Sequence, residues 1–185
     1  MNSAPERPPY LPGDRAPEVE TARIIRVDHA GEYGATRIYD GQLAVIGRGR
    51  ARDEIRRMGE QEKRHLAAFD RLLPERRVRP TLLHPLWHVA GFVLGAATAF
   101  LGERAAMACT VAVEEVIDDH YRGQAERLGT ADPALSATIV EFRADELAHR
   151  DTAIQMGAED TLGYDLICAV VTAGSRVAIW LSERL

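Results

Sequence analysis

Two short units in this chain could hold a metal ion: Glu62-Lys63-Arg64-His65 and Glu146-Leu147-Ala148-His149. In a helix, residues three apart share a face, so each unit presents a carboxylate and an imidazole to one point. The pairing alone is weak, because 16 glutamates and 6 histidines in 185 residues give this spacing about half a time by chance, so two occurrences are only mildly surprising. Two further glutamates strengthen it: Glu32 precedes Glu62 by 30 positions, and Glu114 precedes Glu146 by 32. Each interval covers one helix, a short turn and part of the next helix, which returns an antiparallel helix to the same height. The halves repeat, with 82 residues from Glu32 to Glu114 and 84 from Glu62 to Glu146. Four helices then supply Glu, Glu-x-x-His, Glu and Glu-x-x-His to one interior point, the donor set of carboxylate-bridged di-iron or di-manganese bundles. Carboxylate oxygens with two imidazoles suit iron or manganese better than zinc.

The flanking residues sharpen the choice. The same-face neighbours of Glu114 are Met107, Thr110, Val111, Ile117, Asp118 and Tyr121, mostly apolar, whereas those of Glu115 include Asp118, Asp119 and Arg122. Glu114 is therefore the ligand and Glu115 a surface residue. Glu32 sits in His29-Ala30-Gly31-Glu32-Tyr33-Gly34-Ala35, where small residues let another helix approach closely. Asp28 and Asp145 are placed to accept hydrogen bonds from ligand imidazoles; a solvated surface acid is the alternative for Asp28. Tyr121 and His120 either line the site or pack in the core, and His84 and His88 are interfacial or structural. The bland alternative for the six is ordinary surface acids and satisfied histidines. Apolar-flanked glutamates on four helices would then be buried without partners, which is costly.

The elements that must carry these residues are helices. Ala, Leu, Arg and Glu dominate, and no stretch combines period-two alternation with hairpin signals. Helices are expected near 22–47, 51–73, 82–101, 103–128, 133–157 and 161–183, interrupted at Gly47/Gly49, Pro74/Pro80, Gly102, Gly129 and Gly157. Asp132 before Pro133 reads as an N-cap with proline at the first helical position. Short loops make neighbours antiparallel, giving an all-α, ferritin-like four-helix bundle with two additional apolar helices. Residues 1–20, with five prolines and four acids, read as a flexible arm rather than a signal or transit peptide, and 21–185 as the domain. Cys109 and Cys168 lie far apart in apolar runs and read as buried, reduced thiols.

With 23 basic and 28 acidic residues the net charge is −5, which excludes a general nucleic-acid binder. Positions 48–79 are nevertheless basic, with 11 cations against 6 acids. Next comes Pro80–Gly102, which has no charged residue. Three placements fit it: a buried central helix, a transmembrane helix, or a helix lying in a membrane interface. Trp87 and the upstream Arg76, Arg77 and Arg79 tilt toward anionic lipid headgroups. The last helix, with Leu166, Ile167, Val170, Val177 and Trp180, is similarly apolar and could share one lipid-facing surface.

Several long motifs resemble the 5-demethoxyubiquinone hydroxylase family. They are Arg26-Val27-Asp28-His29-Ala30-Gly31-Glu32-Tyr33-Gly34-Ala35, Gln61-Glu62-Lys63-Arg64-His65-Leu66, Arg77-Val78-Arg79-Pro80-Thr81, Met107-Ala108-Cys109-Thr110-Val111-Ala112-Val113-Glu114-Glu115, and the ending Arg176–Leu185. The resemblance covers residues 21–185. It departs at Trp180, where some members have tyrosine, and at a shorter turn near Gly129–Asp132.

The resemblance implies that Glu32, Glu62, His65, Glu114, Glu146 and His149 hold two iron ions per chain. It also implies hydroxylation of 5-demethoxyubiquinol with O2 and two electrons in ubiquinone biosynthesis, the electrons coming from NADH. A polyprenyl substrate implies a peripheral membrane protein whose residues 82–101 and 162–181 lie in the interface. The side is the cytoplasmic face of a bacterial inner membrane, favoured by the missing transit peptide, or the matrix face of a mitochondrial one. A lipid-binding accessory protein of the pathway is an implied partner. A ferritin-like iron store, a non-catalytic membrane scaffold and a di-iron oxygenase acting on acyl chains or modified RNA stand as alternatives.

Overall fold

A computed structural model of the protein describes residues 16–129 and 131–185. These form α1 (Pro17–Val45), α2 (Arg50–Glu75), α3 (His84–Phe100), α4 (Glu103–Leu128), α5 (Pro133–Gln155) and α6 (Tyr164–Ser182), with a single 3-10 turn at Ala158–Asp160. No strand occurs among the described residues, and the fold is all-α as the residue pattern implies. Most of the expected arm, 1–15, lies outside the described residues. The rest is helix, because Pro17 at the first helical position, with Glu18 and Glu20 in the first turn, starts α1 earlier than the apolar pattern does.

The first turn of α5 is set by local chemistry. Asp132 Oδ1 accepts from the Leu135 amide at 3.1 Å and caps α5, while Arg76 at the end of α2 pairs with the same carboxylate at 2.7 Å. The loop between α4 and α5 is thus tied to the end of α2. Pro74 lies inside the last turn of α2, which ends one residue later at Glu75.

α1, α2, α4 and α5 surround the interior. Two apolar layers close it off along the bundle axis. One contains Ile24, Ile25, Phe69, Leu135 and Ile139, the other Ile55, Met58, Met107, Val111 and Ala153. α3 packs along α1, and α6 along α4. The buried-core placement of Pro80–Gly102 is not what the fold shows: α3 lies on the outside, buries only Gly91, Gly95, Thr98 and Ala99, and leaves Leu86, Val89, Val93 and Phe100 exposed. An uncharged run does not reveal which of its faces meets protein. Cys109 is buried and Cys168 half-buried, and both are free thiols.

The α1–α3 contact is backbone against backbone. A Cβ on Gly95 would collide with the Ile38 carbonyl, one on Gly41 with the Phe92 carbonyl, and one on Gly91 would lie 2.9 Å from the Gly34 carbonyl. Nothing flexible is available to yield. Gly95→Ala is therefore expected to destabilise the protein by about 1–3 kcal/mol through overpacking, read as a lower midpoint in thermal unfolding followed by circular dichroism.

Candidate metal centre

Each of the four central helices contributes to one buried cage. Glu32 comes from α1, Glu62 and His65 from α2, Glu114 from α4, and Glu146 and His149 from α5, all at most 2% exposed. Their donor atoms form two quartets, each within 4.8 Å: Glu32, Glu62, His65 and Glu146, and Glu62, Glu114, Glu146 and His149. Glu62 and Glu146 belong to both. Glu146 Oε1 lies 3.1 Å from His65 Nδ1, and its Oε2 lies 3.4 Å from His149 Nδ1. Glu62 Oε1 lies 2.9 Å from His149 Nδ1, and its Oε2 lies 3.9 Å from His65 Nδ1. Two carboxylates therefore span the cage, and Glu32 and Glu114 terminate it at opposite ends.

The residues fit a pair of divalent cations. Glu32 Oε2, both oxygens of Glu62, Glu114 Oε2 and both oxygens of Glu146 are buried without a hydrogen-bond partner, as is Nδ1 of each histidine. The outer nitrogens, by contrast, are engaged. His65 Nε2 bonds Asp145 Oδ2 at 3.0 Å, and His149 Nε2 bonds Gln61 Oε1 at 3.3 Å. With both Nε2 atoms donating outward, both Nδ1 lone pairs face the cage. Four carboxylates and two neutral imidazoles match the charge of two divalent ions, and the oxygen-rich set suits iron or manganese.

Electrostatics describe the same cage without its cations. Burial and the neighbouring carboxylates of Glu146 and Glu32 push Glu62 well above the usual carboxylate range. Glu114 is driven up by burial and by Glu146, and Glu146 by burial against the opposing pull of His65. Burial depresses the His65 imidazole, but Glu146 and Glu32 outweigh it and raise it to about 10. Burial pushes His149 down.

Asp145 accepts from His65 as its position suggests. Partial burial opposes its ionisation, but hydrogen bonds from Gln61 and His65 hold it below the usual range. Asp28 is different. It is buried, but it touches neither cage imidazole; it accepts from Gln124 Nε2 at 2.6 Å and lies 3.6 Å from His120 Nε2. Tyr121 donates to Glu32, and Tyr39 donates to Glu114 at 2.8 Å. Burial, followed by the adjacent carboxylates, raises both phenols and keeps them protonated. Sequence reasoning missed Tyr39 and Gln61. The signal was present: Tyr39 follows Glu32 by seven positions, as Tyr121 follows Glu114. Glu115 is exposed, as expected for a surface residue. His84 and His88 pack on Tyr33, whose hydroxyl lies 2.5 Å from His88 Nδ1.

Beside the cage lies a cavity of about 400 Å³ between α1, α3, α4 and α6. Glu32, Tyr121, Asp28 and His120 form its polar inner side, and residues such as Leu94, Val113 and Val170 form apolar walls. Gly31, Gly34 and Gly174 line it with open space where side chains would be. Trp87 Nε1 donates to Ser182 Oγ at 3.0 Å, bridging α3 and α6 at the cavity wall.

A helical bundle with a buried cage of four glutamates and two histidines matches the donor arrangement of carboxylate-bridged di-metal proteins and could hold metal. The chain belongs to the family described as "Ubiquinone biosynthesis protein COQ7", whose sequence model matches residues 19–182. It is 54% identical over 176 residues to the 3-demethoxyubiquinol 3-hydroxylase of Rhodospirillum rubrum, covering 95% of this chain and 83% of that protein. It is 53% identical over 167 residues to the NADPH-dependent 3-demethoxyubiquinone 3-hydroxylase, mitochondrial, of Homo sapiens, covering 88% of this chain and 77% of that one. A third relative, the 5-demethoxyubiquinone hydroxylase, mitochondrial, of Saccharomyces cerevisiae, is 42% identical over 180 residues, with 88% and 77% covered.

Carboxyls whose proton affinity is raised must release protons as cations enter, so uptake should strengthen with pH. The rise in thermal midpoint on adding Mn(II) to the metal-free protein is expected to grow from pH 5.5 to pH 7.5, measured in parallel melts. Glu62→Gln should abolish most of that rise at every pH.

Proposed function

We propose that this protein is a di-iron monooxygenase that hydroxylates demethoxyubiquinol in ubiquinone biosynthesis. The observation that carries the reading is the adjoining of cage and cavity: Glu32 belongs to both, and Tyr121, which lines the cavity, donates to Glu32. The names of the relatives supply the substrate and the reaction. In the balanced reaction the quinol, O2, two electrons and two protons give the ring-hydroxylated quinol and water.

Glu32, Glu62, His65, Glu114, Glu146 and His149 would hold two iron ions, which when bound supply the redox chemistry that splits O2 and delivers one oxygen atom to the ring. The chain's own residues prepare the rest. The apolar walls exclude water and receive the start of the prenyl tail, and Gly31 and Gly34 leave a flat space against α1 for the ring. Asp28 and His120 offer hydrogen bonds to ring oxygens at the polar end. Burial raises the proton affinity of Asp28, with His120 and Gln124 pulling the other way. Tyr121 fixes the Glu32 carboxylate next to the ring.

The electron source is a reduced nicotinamide nucleotide. The expectation from sequence was NADH, whereas the name of the human relative specifies NADPH. The described residues contain no strand and hence no βαβ dinucleotide-binding unit.

The substrate's polyprenyl tail and the outer faces of α3 and α6 support peripheral attachment to a membrane. Leu82 is 80% exposed, Phe100 83% and Leu166 69%, with Leu86, Val93, Val177 and Trp180 exposed between them. This apolar face is far richer than single scattered residues, and arginines 76, 77 and 79 flank it. α6 is also long and apolar enough to cross a membrane. Its contact with α4 and the shared face with α3 favour lying in the interface. The compartment proposed is the cytoplasmic face of a bacterial inner membrane or the matrix face of a mitochondrial one; the names of the human and yeast relatives, both mitochondrial, support the second.

The deciding experiment loads the protein with Fe(II) in detergent without oxygen, reduces it, and adds labelled O2 with a short-chain demethoxyubiquinol. One labelled oxygen in the product by mass spectrometry, lost in Glu146→Ala, is expected. Two irons with untouched quinol would point to another substrate, and iron far beyond two per chain to storage. Separately, the protein should sediment with liposomes containing anionic lipid, and Trp87→Ala combined with Leu86→Ser should lower the bound fraction several-fold. Equal binding by that variant would remove the α3 face from the membrane reading.

A further inference from the structure

The cage is assembled by exchange between the two halves of the chain. Tyr39, seven residues after Glu32, bonds Glu114; Tyr121, seven residues after Glu114, bonds Glu32. Gln124, ten residues after Glu114, donates at 2.6 Å to Asp28, which lies four before Glu32. Gln42, ten after Glu32, approaches at 3.5 Å the hydroxyl of Thr110, which lies four before Glu114. The residue just before each Glu-x-x-His unit obeys the same rule and backs the imidazole of the other half: Asp145 for His65, Gln61 for His149.

At this last pair the equivalence fails in charge. A carboxylate stands behind one imidazole and an amide behind the other. We propose that Gln61 is a positioning residue that makes the two cation positions unequal, so that the Glu32–Glu62–His65–Glu146 quartet binds a divalent ion more tightly than the Glu62–Glu114–Glu146–His149 quartet. An anionic acceptor behind a ligand imidazole both orients the ring and makes its inner nitrogen a stronger donor, whereas an amide carbonyl mainly orients it. The outer contacts run the same way, at 3.0 Å for Asp145 and 3.3 Å for Gln61.

This inference rests on the reading that the cage holds two divalent ions, and its test needs no turnover. The full-length metal-free protein is titrated with Mn(II), and free ion is read from the electron paramagnetic resonance signal of aqueous Mn(II). Two ions per chain binding in two steps about 10- to 100-fold apart are expected. Asp145→Asn should weaken the tighter step by about 10- to 100-fold and leave the weaker one, merging the two. The exchange variant Gln61→Glu with Asp145→Asn keeps the total charge, moves the carboxylate behind His149, and should restore two separated steps. Helical circular dichroism checks that each variant is folded, and Asp145→Asn decides alone if the exchange variant is not. Two equal sites in the unaltered protein, equal weakening of both steps by Asp145→Asn, or merged steps in a folded exchange variant would overturn the inference. A protein that takes up no Mn(II) would overturn the two-ion reading beneath it.

Discussion

Four carboxylates buried within reach of one another are the constraint on which the rest of the structure depends. Ionised together in a dry interior they would repel strongly, and protonated together they would leave hydrogen-bonding capacity unused. Protein partners satisfy only the ends of the cage, where Tyr39 and Tyr121 donate to Glu114 and Glu32. The inner oxygens of Glu62 and Glu146 have no donor at all. Long helices, apolar layers above and below, and outward-facing Nε2 hydrogen bonds then read as the framework that holds this arrangement in place.

The same constraint divides labour among the helices. The four central helices spend their apolar faces on sealing the cage, which leaves the substrate-sized space outside the bundle, under α3 and α6. α3 is fixed there by direct backbone contact with α1 at Gly41, Gly91 and Gly95. α6 leans on α4 and meets α3 through the Trp87–Ser182 hydrogen bond. The cavity reaches from Glu32 on its inner side to the exposed Val170 on its outer side, so polar and apolar surroundings meet within the width of one helix.

Much of this was legible in the residues alone. Glycine, proline and Asp132 mark the helix breaks, and the apolar neighbours of Glu114 separate it from Glu115 by burial. Spacing brought six donor residues together because helix geometry turns sequence distance into height. What spacing could not give was contact between helices. Asp28 was expected near a cage imidazole, yet a small change of helix rotation aims it at Gln124 and His120 instead. Gln61 and Tyr39 act on the opposite half of the chain, so only the repeat between the halves marks them, through the matching seven-residue spacing of Tyr39 and Tyr121. The start of α1 at Pro17 was missed because its first turn rests on proline and acids rather than on apolar periodicity.

The crossed contacts bear on how such a centre could arise. Each half of the chain, α1 to α3 or α4 to α6, carries three of the six donors together with a phenol and an outer acceptor that serve the other half. Neither half can complete a cage, but two identical copies facing each other across a two-fold axis would. A three-helix ancestor could thus have worked as a homodimer, with both ends of the centre necessarily alike. Joining the copies into one polypeptide frees each position to drift separately, and Asp145 against Gln61, or Asp28 against Thr110, are differences that only a fused chain can encode.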